Sequence, residues 1–514
     1  MVAALVINSS CTKNFQEYNT DPNGTSNALP EQLLAPTLVD LLRYNMLRNR
    51  NFNNELMQVT VDISDAEGRV FRYDFRPSWA DYTWNGWFSQ LTNLKDLYIT
   101  ASDELSYNSA YMAVSLICQS WVSSLLTDTY GDVPYSEANK AKSDQIYEPK
   151  FDKQEDIYRD MFAKLEEANT LLKNSPSTES ITADSDPIFK GDKAKWRKFG
   201  NSLYLRLLMR VSGKEGINAD AIAKINEIAE TNTGAYPIMA NNDDSAVLRW
   251  TGVAPYISPY ITNVRNQDFR SPAIASFFID HLRDWADPRL DISTYGTNSV
   301  NRWGITQGSA GFSGVPSGYP PGGVIIKMSD FYSIDQKPES LQNEPLAGMI
   351  MNYAELQFIL SEAAAKGWIS KSAQDYYYKG VLNSITLWLP NWPNPTAEGT
   401  SPSGVTITDP EFDDYISTAE LTWDEAASLD DKMEKIHLQK YYALFLNDFQ
   451  QWFEFRRTGH PVLPKGAGLK NNGEMPSRLN YPVYVQSTNP TNYKAAVAEQ
   501  GPDLISTKVW WQKP

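Results

Sequence analysis

Apolar positions recur along most of this chain with helical spacing. Trp87, Leu91, Leu94 and Tyr98 step by four, three and four, and Tyr111, Val114, Cys118, Trp121 and Leu125 continue the rule. Ile157, Met161, Leu165, Ala168 and Leu172 form another stripe, as do Trp196, Phe199, Leu203, Leu207 and Val211. Tyr353, Leu356 and Leu360 follow, then Tyr377, Val381, Ile385 and Trp388. Such stripes predict helices that bury one face. The segment "KIHLQKYYALFLNDFQQWFEFRR" is apolar nearly all round, which predicts a helix covered on most sides. The helices come in pairs with short joints, 84–101 with 107–127 and 349–367 with 372–389. Antiparallel helix hairpins stacked side by side are the logic of helical-repeat proteins, although no repeating signature recurs at a fixed period. The predicted fold is mainly α.

Residues 240–335 break the pattern. The stretch "NRWGITQGSAGFSGVPSGYPPGGV" at 301–324 holds seven glycines and one charged residue, with Trp303, Phe312 and Tyr319 interleaved. A long irregular insertion in a helical body points to function or disorder, and its aromatics argue against disorder. The tail 460–514 is again rich in Pro and Gly and ends in "KVWWQKP", two tryptophans expected to fold back onto the body.

Charge narrows the partners. With 46 basic and 62 acidic residues among 514, the net charge is −16. No run of Lys and Arg makes the basic patch that a nucleic acid or an anionic membrane surface requires. The two cysteines make no disulfide framework. Cys118 lies on an apolar helical stripe and reads as a small core residue. Cys11 follows the short apolar segment "MVAALVINSS" and precedes polar sequence. That order resembles the tail of a secretory signal whose cleavage leaves a cysteine for lipid attachment. No Lys or Arg precedes the apolar run, and Asn8 sits where such a cleavage box carries an apolar residue.

The chemistry-bearing motifs are missing. His281, His437 and His460 have no partner at metal-ligand spacing, and no nucleophile elbow or phosphate-cradling glycine loop occurs. A pair of carboxylates could hydrolyse a glycoside, and Asp268 and Asp287 near the insertion are the ones to test. Both also fit turns and caps, in "DFRS" and "DPRL". The sequence calls for no cofactor; its acidic loops leave room for a structural calcium ion.

Aromatic content is the stronger clue. The 15 Trp and 28 Tyr outweigh 20 Phe, a bias toward rings with a polar handle that stack on sugars or grip a partner. Trp87, Trp121, Trp196 and Trp388 fit helical stripes and are expected in the core. Trp79, Trp84, Tyr256, Tyr260, Trp303 and Tyr319 fall off the stripes and are the ligand candidates. Asn263, Arg265 and Asn266 are the polar side chains expected to reach ligand hydroxyls.

One further stretch, "TDTYGDVPYSEA" at 127–138, ends a helix in a turn. Gly131 permits a sharp bend, Pro134 prevents continuation, Asp132 can accept backbone N–H groups, and Tyr130 and Tyr135 can pin the loop. It closely resembles a signature of the SusD/RagB family. Other segments agree in order: "CTKNFQEYNTDPNGTS", "NQDFRSPAIASFFIDHLRDWADPRL", "MNYAELQFILSEAAAKGW", "IHLQKYYALFLNDFQQWFEFRRTGHPVL" and the closing "MPSRLNYPVYVQSTNPTNYKAAVAEQGPDLISTKVWW". The resemblance spans residues 11–511 and is similar to the second SusD-like subfamily. It implies residues 1–10 as a residual signal segment, 11–30 as a linker lipidated at Cys11, and 31–514 as one helical domain. Tetratricopeptide-like helix pairs would carry the insertion 240–335. It also implies a lipid-anchored protein of the bacterial outer membrane that binds an oligosaccharide, or in some branches a peptide. The ligand would pass to a SusC-like TonB-dependent transporter, with no chemistry on it. Rival readings are a helical glycoside hydrolase and a scaffold that binds only protein.

Overall fold

In a computed structural model, residues 28–64, 67–290, 302–338, 340–393 and 404–514 are described. The expectations for the signal segment and for Cys11 lie outside them. The predicted helices form. After α1 (Pro30–Arg48), which the stripes did not anticipate, come α2 (Trp79–Ser102), α3 (Ser109–Tyr130), α4 (Gln154–Asn174) and α5 (Lys193–Val211). Later come α6 (Ser276–Asp284), a helix inside the stretch expected to be irregular, then the expected α7 (Tyr353–Ala365) and α8 (Ala373–Trp388), and α9 (Leu429–Ala443) and α10 (Gln450–Thr458).

Their starts follow the capping rules. The Asn108 side chain accepts from the Ala110 and Tyr111 N–H groups, Asn352 from Glu355, and Ser372 from Asp375. Consecutive helices α1 to α5 pack as neighbours, and α7 and α8 form a second hairpin. Trp87, Trp121, Trp196 and Trp388 are all core residues, as their stripes require. Helix α3 is long and apolar enough to cross a membrane by length and composition, yet every residue in it is buried inside the protein.

One expected helix is two. The segment 435–457 breaks between α9 and α10, with Leu446 and Asp448 at φ +69° and +30°. The polar pair Asn447–Asp448 makes the turn: the Asp448 carbonyl accepts from Asn49 (2.7 Å), and its carboxylate accepts from Gln450 (3.0 Å) and the Trp121 indole (3.4 Å). These interior partners outweigh one further turn of helix. The terminal tryptophans do fold back, with the Trp511 indole donating to Asp128 at 2.8 Å.

The 240–335 insertion is less irregular than its composition suggests. It contributes α6 and two strands, and its described strands pair outside it. Among the described residues β1 (Thr60–Val61) pairs antiparallel with β5 (Ala273–Ile274), and β4 (Ala246–Leu248) with β6 (Gly348–Met351). Two further short strands, β2 (Val133–Pro134) and β3 (Phe151–Asp152), close the corner after α3. The β1–β5 pair ties the insertion to the chain just beyond α1.

Candidate functional site

Helix α1 ends at Arg48 and runs into a π-helical turn, Asn49–Asn53, before the chain loops through 60–76 into α2. That route sets the first turn of α2 beside the last turn of α1. Trp79, half-buried, packs on Phe52 at 5.7 Å between ring centres. The Arg48 guanidinium lies 4.9 Å from the Trp79 ring and 4.4 Å from that of Tyr82. Tyr82 packs in turn on Tyr44 at 4.9 Å, and Phe75 lies 5.1 Å from Phe52. Gly86 allows this approach, since a Cβ there would fall 2.5 Å from the Tyr44 ring. The result is a connected set of half-buried rings, anchored on the buried Phe52 and interleaved with a guanidinium, rigid because each ring is packed on its neighbours.

The other flank of the same helix end belongs to the insertion. Arg50 donates to the Asp268 carbonyl and lies 5.7 Å from the Phe269 ring. Arg265 and Asp268 form an exposed ion pair at 2.7 Å. Asn263 is exposed, and the half-buried Asn266 accepts from Gln342 at 3.4 Å. Thus Trp79 and the polar residues 263–268 flank one helix end. This arrangement can stack on a flat apolar face and offer amides and a guanidinium to hydroxyls.

Residues 22–482 match the SusD-like family described as starch-binding and associating with the outer membrane. The chain belongs to the second SusD-like family. Among solved structures it is similar to a SusD homolog from Bacteroides fragilis, at 24% identity over 95% of this chain and 99% of that one, with a TM-score of 0.74. A chitin-binding protein matches at 26% identity over 94% and 99%, with a TM-score of 0.70. A chitin-binding SusD homolog from Flavobacterium johnsoniae matches at 21% over 94% and 98%, with a TM-score of 0.72. No curated protein matches. The SusD-like fold is therefore the mainly helical one expected, and the family is described as associating with the outer membrane.

Four of the SusD-like chain's expected ligand aromatics are core residues instead. Trp303 is 0% exposed, enclosed by Phe278, Trp388 and Phe445 at 5.9, 5.8 and 4.9 Å, with the Arg289 guanidinium 5.1 Å from its ring. Tyr260 is buried with its hydroxyl donating to the Met46 carbonyl. Tyr319 packs on Phe71 at 5.0 Å and donates to the Asp62 carbonyl. Trp84 is wedged against Phe88, Tyr130 and Tyr481 and is 7% exposed. Tyr256 is half-buried against the core, 5.8 Å from the Lys190 ammonium and away from the stack. Sequence reading missed Tyr44, Tyr82 and Arg48. Their signal was flank position on helices: Tyr82 lies in "WADYTW" and Tyr44 beside the apolar stripe of α1.

The carboxylate pair does not assemble as a reactive one. Asp287 is buried and bound through both oxygens to Arg289 (2.8 and 2.6 Å), with the Tyr415 hydroxyl donating at 3.0 Å. Asp268 belongs to the Arg265 pair. A different carboxyl, Glu55, is displaced in pKa: burial, with Asp62 adding to it, pushes it up to about 8. It is enclosed and presents no face to a ligand.

Sequence spacing offered no metal site, yet folding gathers Glu362, His437 and Glu454 with ligand atoms within 4.8 Å of one another. Cations of the protein already serve these carboxylates. Arg457 binds both oxygens of Glu362 at 2.7 and 2.6 Å and Glu454 at 2.8 Å, while Lys440 reaches Glu454 at 2.7 Å. A metal ion would have to displace them, so the cluster reads as a buried charge network.

Proposed function

We propose that this SusD-like protein captures an oligosaccharide on the face built from Trp79, Tyr82, Tyr44 and Arg48. Residues Asn263, Arg265 and Asn266 supply the polar contacts. The observation that carries the reading is the packed stack itself, which offers preorganised aromatic rings interleaved with a guanidinium. Support also comes from the starch-binding description of the family and the chitin-binding name of a structure 26% identical to this chain. The protein works at the cell surface, held in the outer membrane by lipid on Cys11, and hands its ligand to a SusC-like TonB-dependent transporter. On this reading it does no chemistry on the ligand.

The test is calorimetric titration of the chain from residue 12 onward with malto- and chito-oligosaccharides, alongside a reducing-sugar assay. Trp79→Ala should weaken binding about tenfold or more, the scale of a lost stacking contact. Trp303→Ala should lower stability and leave affinity of the folded protein intact. Steady release of reducing ends would replace this reading with an enzymatic one. Equal affinity in wild type and Trp79→Ala would move the site elsewhere.

A further inference from the structure

The corner after α3 has an outer side that the stacked face does not use. There the loop 134–149, helix α2 and the C-terminal stretch 484–489 surround a cleft of about 240 Å³. Trp84, Phe88, Tyr147 and Tyr484 wall it, with Asn139 and Asn489 between them. Among the described residues, no Asp, Glu, Lys or Arg lines it, in a chain where such residues make up 21%. A charged ligand entering this cleft would lose water and find no counter-charge. The lining therefore selects an uncharged ligand.

The aromatics divide into floor and mouth. Trp84 is packed on Phe88 at 4.8 Å and edge-on to Tyr130 at 5.0 Å, so it forms a fixed floor. Tyr147 is 75% exposed, a large ring left uncovered at the rim. Tyr484, also exposed, donates its hydroxyl to Asn85, which holds the ring in place. An uncovered ring opposite a packed one is a stacking surface for a flat, partly apolar molecule with polar edges.

Asn139 and Asn489 add polar side chains to the wall. Asn139 sits at φ +65°, a region that Asn tolerates, and its amide N–H groups donate to the Phe88 carbonyl and the Thr92 hydroxyl. The cleft is also smaller than the roughly 300–1,000 Å³ of pockets that enclose drug-sized ligands, so it suits one ring.

From the neutral lining, the uncovered Tyr147 ring and the amide-bearing Asn139 and Asn489 in the wall together, we infer that this cleft is a second binding site, for one uncharged pyranose ring. The ring stacks on Tyr147. The site is separate from the stacked face: Tyr82 and Trp84, two positions apart on α2, point to opposite sides of the helix. Its existence does not depend on that face binding anything.

Saturation-transfer NMR on the chain from residue 12 onward tests it, with methyl glucopyranoside and methyl N-acetylglucosaminide as probes and glucuronate as the charged control. Wild type, Tyr147→Ala, Tyr147→Trp and Trp79→Ala are compared, with circular dichroism confirming the fold. The expected result is binding of at least one neutral glycoside that survives Trp79→Ala, weakens about tenfold in Tyr147→Ala and returns in Tyr147→Trp. Binding indifferent to Tyr147→Ala overturns the inference. So does the absence of any neutral glycoside signal in wild type, its loss in Trp79→Ala alone, or glucuronate binding as well as the neutral probes.

Discussion

Glu55 shows how one residue near the stacked face couples folding to pH. Burial is the main cause that raises its carboxyl to about 8, and Asp62 adds to it. Between its ordinary value of 4.5 and about 8 the folded protein keeps a proton that the unfolded chain releases. The native state then binds more protons, so stability falls as pH rises through this window, and the penalty is complete above it. Glu55→Gln removes the penalty while keeping the neutral shape. Thermal melts should show little difference from wild type at about pH 5 and a higher Tm for the variant at about pH 8.5. A variant less stable than wild type at the higher pH would mean that Glu55 is ionised there and held by Arg50 and Arg69.

At the scale of elements, the corner 127–138 shows what one glycine does. Gly131 ends α3 at φ +84°, and a Cβ there would lie 1.7 Å from Gln500 Oε1. That oxygen is committed, since it accepts the Asp132 N–H at 2.6 Å, while the Gln500 amide donates to the Tyr481 hydroxyl at 3.2 Å. Asp132 in turn accepts the Gln154 N–H at 2.9 Å, at the start of α4. Gly131→Ala should therefore destabilise by about 2–3 kcal/mol in chemical denaturation, from backbone strain and clash together. Adding Gln500→Ala should relieve the clash and leave the strain, so the two losses would fall short of additive. Full additivity would show that the close approach costs nothing. The corner, the helix pairs and the tryptophans of the stripes were legible because helical period and turn chemistry are local. Whether Trp303 faces water was not, because Phe278, Trp388 and Phe445, which cover it, come from distant segments. Tyr44 and Tyr82 were missed for the same reason: only the crossing of α1 and α2 brings them together. The break inside 435–457 was signalled by Asn447–Asp448, but the interior partners that make it worthwhile are remote in sequence.

Across the whole molecule, a buried charge network joins the helix layers behind the face. Glu362 on α7 and Glu454 on α10 share Arg457, Lys440 comes from α9, and Arg210 on α5 approaches Glu454 at 3.3 Å. Burial alone would raise both carboxyls, but Arg457 and the neighbouring cations, Lys366 at Glu362 and Lys440 at Glu454, hold them well below the usual carboxylate range. Depressed values in the folded state mean a contribution complete above the unfolded value of 4.5 and lost as pH falls toward the folded one. His437, pushed down by burial, works in the same direction, because unfolding in acid lets it take a proton. Arg457→Met leaves two buried carboxylates short of their shared partner and should cost about 3–5 kcal/mol at neutral pH. Deprived of that cation, the carboxyls rise in pKa, so the variant should lose less additional stability on acidification than wild type does. The measurement is denaturant unfolding at pH 7 and pH 4 for both proteins. A wild-type loss between the two that the variant reproduces in full would place acid sensitivity elsewhere. Since no member of the network touches the Trp79 stack, glycan affinity of the folded variant at pH 7 should match wild type, which separates the scaffold that holds the face from the face itself.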